Sequence, residues 1–72
     1  MPEIHVIVTG PEEAEDGIAE FWCGGRQIGE TMIHEGRLHL RIDPPLTGDA
    51  WMLEVESLAL GLDEARQRLA AL

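Results

Sequence analysis

The sequence predicts an α+β fold: a four-stranded antiparallel β-meander followed by one C-terminal amphipathic helix that packs on one face of the sheet. Short runs rich in β-branched residues alternate with turn signals, as is typical of strands joined by hairpins. Gly24-Gly25 and Glu35-Gly36 supply residues that accept the positive φ angles of tight turns. Apolar residues at spacings of three and four near the end of the chain predict the helix.

The four strands are expected where β-branched or alternating runs end at glycine or proline, at residues 3–9, 17–23, 26–34 and 37–43. The fourth run alternates strictly, with Leu38, Leu40 and Ile42 on one face and three basic or imidazole side chains on the other. Pro44-Pro45 ends it, because proline cannot donate to a sheet ladder.

The helix is expected to begin at Ser57, a residue type that caps helix N-termini. One apolar stripe follows, formed by Leu58, Leu62, Ala65, Leu69 and Leu72. Glu64 and Arg68 stand four apart in the order that favours an exposed ion pair. Gly61 weakens the helix relative to alanine but permits a close approach to the sheet.

The length of 72 residues predicts a single domain, with the sheet at 3–43, a link at 44–56 and the helix at 57–72. The acidic stretch from Glu12 to Asp16 is predicted to be a solvated loop.

A domain this small needs a well-packed core or a partner chain for support. Cys23 is the only cysteine, so no internal disulfide forms, which is typical of a reducing compartment.

The net charge of −9 excludes the classes of protein that bind polyanions. Nucleic-acid binding requires a basic patch that displaces counterions from phosphates, and an anionic membrane surface would repel this chain. The N-terminus has no basic region followed by an apolar run, and no segment is long enough to span a membrane. We therefore expect a cytoplasmic protein that binds neither nucleic acid nor membranes.

The Glu35-Gly36 turn predicts the register of the last hairpin, and hence its two faces. The side expected to meet the helix carries Thr31, Ile33, Leu38, Leu40 and Ile42. The opposite side, here called the outer face, carries Glu30, Met32, His34, His39 and Arg41, with Ile28 added by parity. Glu30 and Arg41 are expected to form a cross-strand ion pair.

The face of the second strand depends on the loop at Gly24-Gly25. A three-residue loop directs Ala19, Phe21 and Cys23 to the core, whereas a two-residue loop reverses the assignment. We favour the three-residue loop because it places Phe21 under the helix. An apolar group is then left on the outer face, formed by Ile18, Trp22, Ile28 and Met32.

This exposed apolar group is unusual for a small monomer, and tryptophan is enriched at interface anchors. We interpret the four residues as a partner-binding surface of a non-catalytic protein-interaction module, either a homodimer or a module that binds another protein. The alternative is that Trp22 is covered by a neighbouring segment such as the acidic loop or Trp51. No cofactor is expected, and no catalytic residues can be placed.

A second hypothesis uses the histidines. His34 and His39 are diagonal neighbours on the outer face, with Glu30 nearby, which suggests a small metal- or ligand-binding protein. Zinc requires three or four convergent ligands, and His5 joins them only if the first strand pairs suitably. Cys23 fits a small buried apolar side chain better than a reactive thiol.

The order of strands followed by SLALGLDEARQRLAAL resembles the architecture of small β-β-β-α antitoxin domains of the HicB type. The likeness covers architecture only, and no sequence motif of that family is present. It implies an acidic antitoxin or adaptor that covers a basic partner.

Overall fold

A computed structural model of the protein describes residues 3–10 and 17–72. It confirms the predicted α+β class, with the elements β1 (Ile4–Thr9), β2 (Ile18–Cys23), β3 (Arg26–His34), β4 (Arg37–Ile42) and α1 (Val55–Ala70). The strands form one antiparallel sheet in the order β1-β2-β3-β4, and the helix packs on one face. The acidic stretch predicted as a loop, Glu12 to Asp16, lies outside the described residues.

The β3–β4 hairpin has the predicted register. His34 pairs with Arg37 across the two-residue Glu35-Gly36 turn, where both residues have positive φ, 53° and 76°. Arg41 Nη2 lies 3.4 Å from Glu30 Oε1, which confirms the expected cross-strand pair. This hairpin therefore directs Leu38, Leu40 and Ile42 to the helix side of the sheet, as the alternation predicts.

The β2–β3 hairpin differs from the prediction in a way that moves one candidate residue. The loop has two residues, because Cys23 pairs with Arg26, and the predicted three-residue loop is wrong. The register then shifts: Trp22 pairs with Gln27 but Phe21 pairs with Gly29, so Ile28 is an extra residue in β3. This β-bulge returns Phe21 to the helix side, where it is fully buried.

The same bulge overturns the predicted position of Ile28. Its side chain is only 1 % exposed and packs in the core, so its assignment to the outer face is wrong. Parity counting fails here because an extra residue interrupts the alternation of side chains. The fully buried apolar cluster consists of Ala19, Phe21, Ile28 and Ala65.

The helix begins two residues earlier than predicted and is capped by a different residue. Glu54 is the N-cap, and its carboxylate accepts hydrogen bonds from the backbone N–H groups of Glu56 and Ser57 at 2.8 and 2.9 Å. A carboxylate at this position also meets the positive end of the helix dipole. Ser57, predicted as the cap, instead turns its hydroxyl toward the sheet.

The helix covers only half of the helix side. It packs against β1 and β2, with Gly61 and Ala65 buried at the contact. Thr31 is buried and Leu40 packs beside the core, but the described helix contacts are with β1 and β2, so they do not confirm that these residues meet the helix stripe. The prediction is wrong for three others on the same side, which stay 45–49 % exposed: Ile33, Leu38 and Ile42.

Candidate functional site

The outer face carries three of the four residues predicted to bind a partner. Ile18 pairs with Thr9 of β1, Trp22 lies between His5 and Gln27, and Met32 pairs with His39. Because paired residues on neighbouring strands point to the same side, these side chains share one face. Ile28, the fourth residue, is in the core and does not contribute.

Ile7 joins this face and was not among the predicted site residues. It pairs with Glu20 and is 49 % exposed. Its position is diagonal to both Ile18 and Trp22 on the neighbouring strand, which is close enough for contact between long side chains. Pairing β1 with β2 as a hairpin would have placed Ile7 here from the sequence. The apolar patch of the outer face consists of Ile7, Ile18, Trp22 and Met32.

Trp22 has a defined orientation in this patch. Its indole Nε1 donates a hydrogen bond to Glu20 Oε1 at 3.0 Å, two residues away on the same strand. The indole is partly buried, and its one polar group is paired within the sheet. This hydrogen bond restricts the orientation of the indole ring on the outer face.

Charges are distributed unevenly across the outer face. All three outer-face residues of β4 are basic or imidazole side chains: Arg37, His39 and Arg41. Arg41 is shared between Glu30 and Asp43, at 3.4 Å from each. Glu20, a carboxylate of β2, lies between Ile18 and Trp22 on this face and pairs with Ile7. Cationic groups thus lie at one edge of this face, whereas apolar side chains and Glu20 lie toward the other.

The histidine pair is present but does not extend into a larger ligand set. The rings of His34 and His39 meet edge to face with centroids 5.4 Å apart, and both are exposed. His39 Nδ1 is 2.9 Å from the Arg37 carbonyl oxygen, which satisfies that nitrogen locally. Within residues 3–10 and 17–72, no group of three or more His, Cys, Asp or Glu side chains is placed to hold a metal ion.

An open pocket of about 380 Å³ lies at the other end of β3 from the histidine pair. Arg26 and Gln27 form one wall, and residues 44–47 with Trp51 form the other. Trp51 Nε1 donates to the Asp43 carbonyl at 2.8 Å, so its indole is fixed against the end of β4. Among the described residues that line this pocket, Arg26 is the one with a charged side chain.

Comparisons with protein-family models, with curated proteins and with solved structures find no match to this chain. The likeness to HicB-type antitoxin domains therefore rests on architecture alone. In the part of the chain that the structure describes, no helix is long and apolar enough to cross a membrane.

Proposed function

We propose that this protein is a non-catalytic interaction module that self-associates through the outer face of its sheet. The observation that carries the proposal is the apolar patch on this face. Ile7 and Met32 are 49 % and 42 % exposed, and the helix packs on the opposite face. Exposed apolar side chains near a tryptophan are typical of interface centres.

The distribution of charge supports a second copy as the occupant. A two-fold axis parallel to the strands would lay the β1–β2 half of one outer face on the β4 half of the other. Glu20, Glu30 and Arg41 lie at one level across the sheet, so Glu20 of each copy would then approach the Glu30–Arg41 pair of the other copy. Opposite charges around an apolar centre favour this orientation over a parallel stacking of like charges.

A non-catalytic role is supported by the size of the chain and by its pocket. A protein of 72 residues has little volume for an enclosed substrate site, and the pocket beside Trp51 is open. We place the protein in the cytoplasm, because a single cysteine is typical of reducing compartments.

The test is the mass of the protein in solution, measured by light scattering after size-exclusion chromatography. Wild-type protein at high micromolar concentration should exceed the 8.0 kDa chain mass, and Ile7→Glu and Trp22→Glu should each lower it. Leu60→Glu is the matched control, since Leu60 is 71 % exposed on the helix. A monomeric wild type, or folded variants that retain the wild-type mass, would contradict the proposal.

A further inference from the structure

The two edges of the sheet differ. On β1, the Ile4 N–H donates to Ser57 Oγ at 3.0 Å, and the Val6 carbonyl accepts from Arg68 Nη1 at 3.0 Å. Helix side chains thus occupy backbone groups that point away from β2. An incoming strand cannot pair with these two groups, so β1 is a partly protected edge.

The edge formed by β4 has no such protection. His34 and Arg37 close a two-residue hairpin, so they bond to each other, and every second residue of β4 also points its backbone groups to β3. The Asp43 N–H, which donates to the Ile28 carbonyl at 2.8 Å, fits this alternation. The N–H and C=O groups that point outward, here called the β4 edge, belong to Leu38, Leu40 and Ile42.

Within the described ranges, no hydrogen bond reaches the β4 edge from another residue. The side chains of the same three residues lie on the half of the helix side that the helix leaves uncovered, with Leu38 45 % and Ile42 49 % exposed. Natural sheets usually blunt a free edge with an inward-pointing charge, a proline or a covering segment. Here, unpaired backbone and exposed apolar side chains coincide on one strand.

We propose that the β4 edge pairs with the β4 edge of a second copy, in antiparallel orientation, about a two-fold axis that passes by Leu40. This register places Leu40 opposite Leu40 of the second copy, and Leu38 opposite Ile42 of the second copy. Every outward N–H and C=O group of the β4 edge then has a partner. The two sheets become one continuous sheet, with the exposed leucine and isoleucine side chains in contact.

Charge selects a second copy over an unrelated extended peptide. In the same register, Arg37 of each copy lies opposite Asp43 of the other, on the outer face. Arg37 has no ion-pair partner among the described residues, whereas Asp43 contacts Arg41 at 3.4 Å. The strand is thus complementary to itself in its backbone and apolar groups and in the Arg37–Asp43 pair, while the same register sets His39 opposite Arg41 on the outer face.

This interface is distinct from the outer face used in the proposed function. Its two-fold axis is perpendicular to the sheet, whereas face-to-face packing uses an axis in the plane between two sheets. The two interfaces use different surfaces of the chain, so one chain can take part in both. Variants at the two surfaces report on them separately.

The first measurement is amide hydrogen exchange of the wild-type protein by NMR. Pairing predicts that the N–H groups of Leu38, Leu40 and Ile42 exchange at least about tenfold more slowly at high micromolar than at low micromolar concentration. Fast exchange of all three amides at both concentrations would overturn the inference. This reading does not depend on whether any variant folds.

The second measurement is the solution mass of Leu38→Lys, which places a charge on the β4 edge, compared with Leu60→Lys as control. Leu38→Lys should halve the mass of the wild-type assembly, and Leu60→Lys should leave it unchanged. If Ile7→Glu lowers the mass and folded Leu38→Lys does not, the β4 inference fails and the proposed function stands. If only Leu38→Lys lowers it, β4 pairing stands and self-association through the outer face fails. A monomeric wild type overturns both.

Discussion

The hydroxyl of Ser57 accepts a hydrogen bond from the backbone N–H of Ile4 at 3.0 Å, across 53 positions of sequence. One residue in the first turn of the helix therefore fixes the start of the edge strand. The bond occupies an N–H that would otherwise face solvent at the edge of the sheet. The bond has two effects. It fixes the helix against β1, and it occupies a backbone N–H that could otherwise pair with another chain.

Replacing Ser57 with alanine should destabilise the fold by about 1 kcal/mol, since the partly buried Ile4 N–H loses its acceptor. Ser57→Thr is the control, because it keeps the hydroxyl and changes the helix propensity little. Urea unfolding followed by circular dichroism measures both variants. Equal midpoints for Ser57→Ala and Ser57→Thr would show that the bond does not stabilise the fold.

Gly29 should tolerate no side chain. A Cβ at this position would collide with the backbone carbonyl of Arg41 on the neighbouring strand. Because the Arg41 carbonyl cannot move aside without disrupting the β3–β4 ladder, Gly29→Ala should cost about 2 kcal/mol or more, or prevent folding. Gly10→Ala is the matched control, since a Cβ there meets no atom of residues 3–10 or 17–72 within 4 Å. The prediction fails if the two alanine variants unfold at the same urea concentration.

Gly29 and Ile28 mark the part of β3 where the sequence pattern did not predict which face each side chain occupies. Alternation predicts the faces of β4 correctly, because a two-residue turn and an uninterrupted strand keep parity. In β3 the bulge adds one residue. Counting alternate residues across the bulge therefore assigns side chains to the wrong face of the sheet. Phe21 reached its predicted side only because the shorter loop and the bulge compensate for each other. A glycine within a strand is a known signal of a bulge or of close backbone approach, and Gly29 is that signal here.

The apolar pattern of the sequence likewise does not predict which strands the helix covers. The predicted stripe is correct for Ala65, which is buried, and for Leu58 and Leu69, which pack against the core. It is wrong for Leu62 and Leu72, which are 43 % and 56 % exposed. It does not say which strands lie beneath. That choice depends on contacts far apart in sequence, such as the bond from Arg68 to the Val6 carbonyl. The exposed half of the helix side, and with it the β4 edge, became visible only in the structure.

Thr31 offers a test of buried hydrogen bonding in the core. Its Oγ1 accepts the backbone N–H of Ala19 at 2.9 Å, and the residue is 4 % exposed. Thr31→Val preserves the shape but leaves the Ala19 N–H without an acceptor, which should cost about 1–3 kcal/mol. Thr31→Ser keeps the acceptor and removes a methyl group. We expect Thr31→Val to unfold at lower urea concentration than Thr31→Ser, and the opposite order would contradict the assigned bond.

Gly61 presents two opposing effects whose sum the structure can predict. Alanine is favoured over glycine in a helix interior by about 1 kcal/mol. Against this, an added Cβ would meet Ile4 Cγ2 and Phe21 Cε2, each at 3.4 Å. That separation is ordinary van der Waals contact, so the methyl group should fill space without displacing either side chain.

The helix propensity should therefore dominate, and Gly61→Ala should stabilise the protein by about 0.5–1 kcal/mol. Thermal and urea unfolding of Gly61→Ala and Gly61→Leu decide the matter. The leucine variant keeps the gain in helix propensity but forces a larger group between the helix and β1, so it should be less stable than wild type. A loss of stability in Gly61→Ala would mean that the helix approaches β1 and β2 too closely for any side chain.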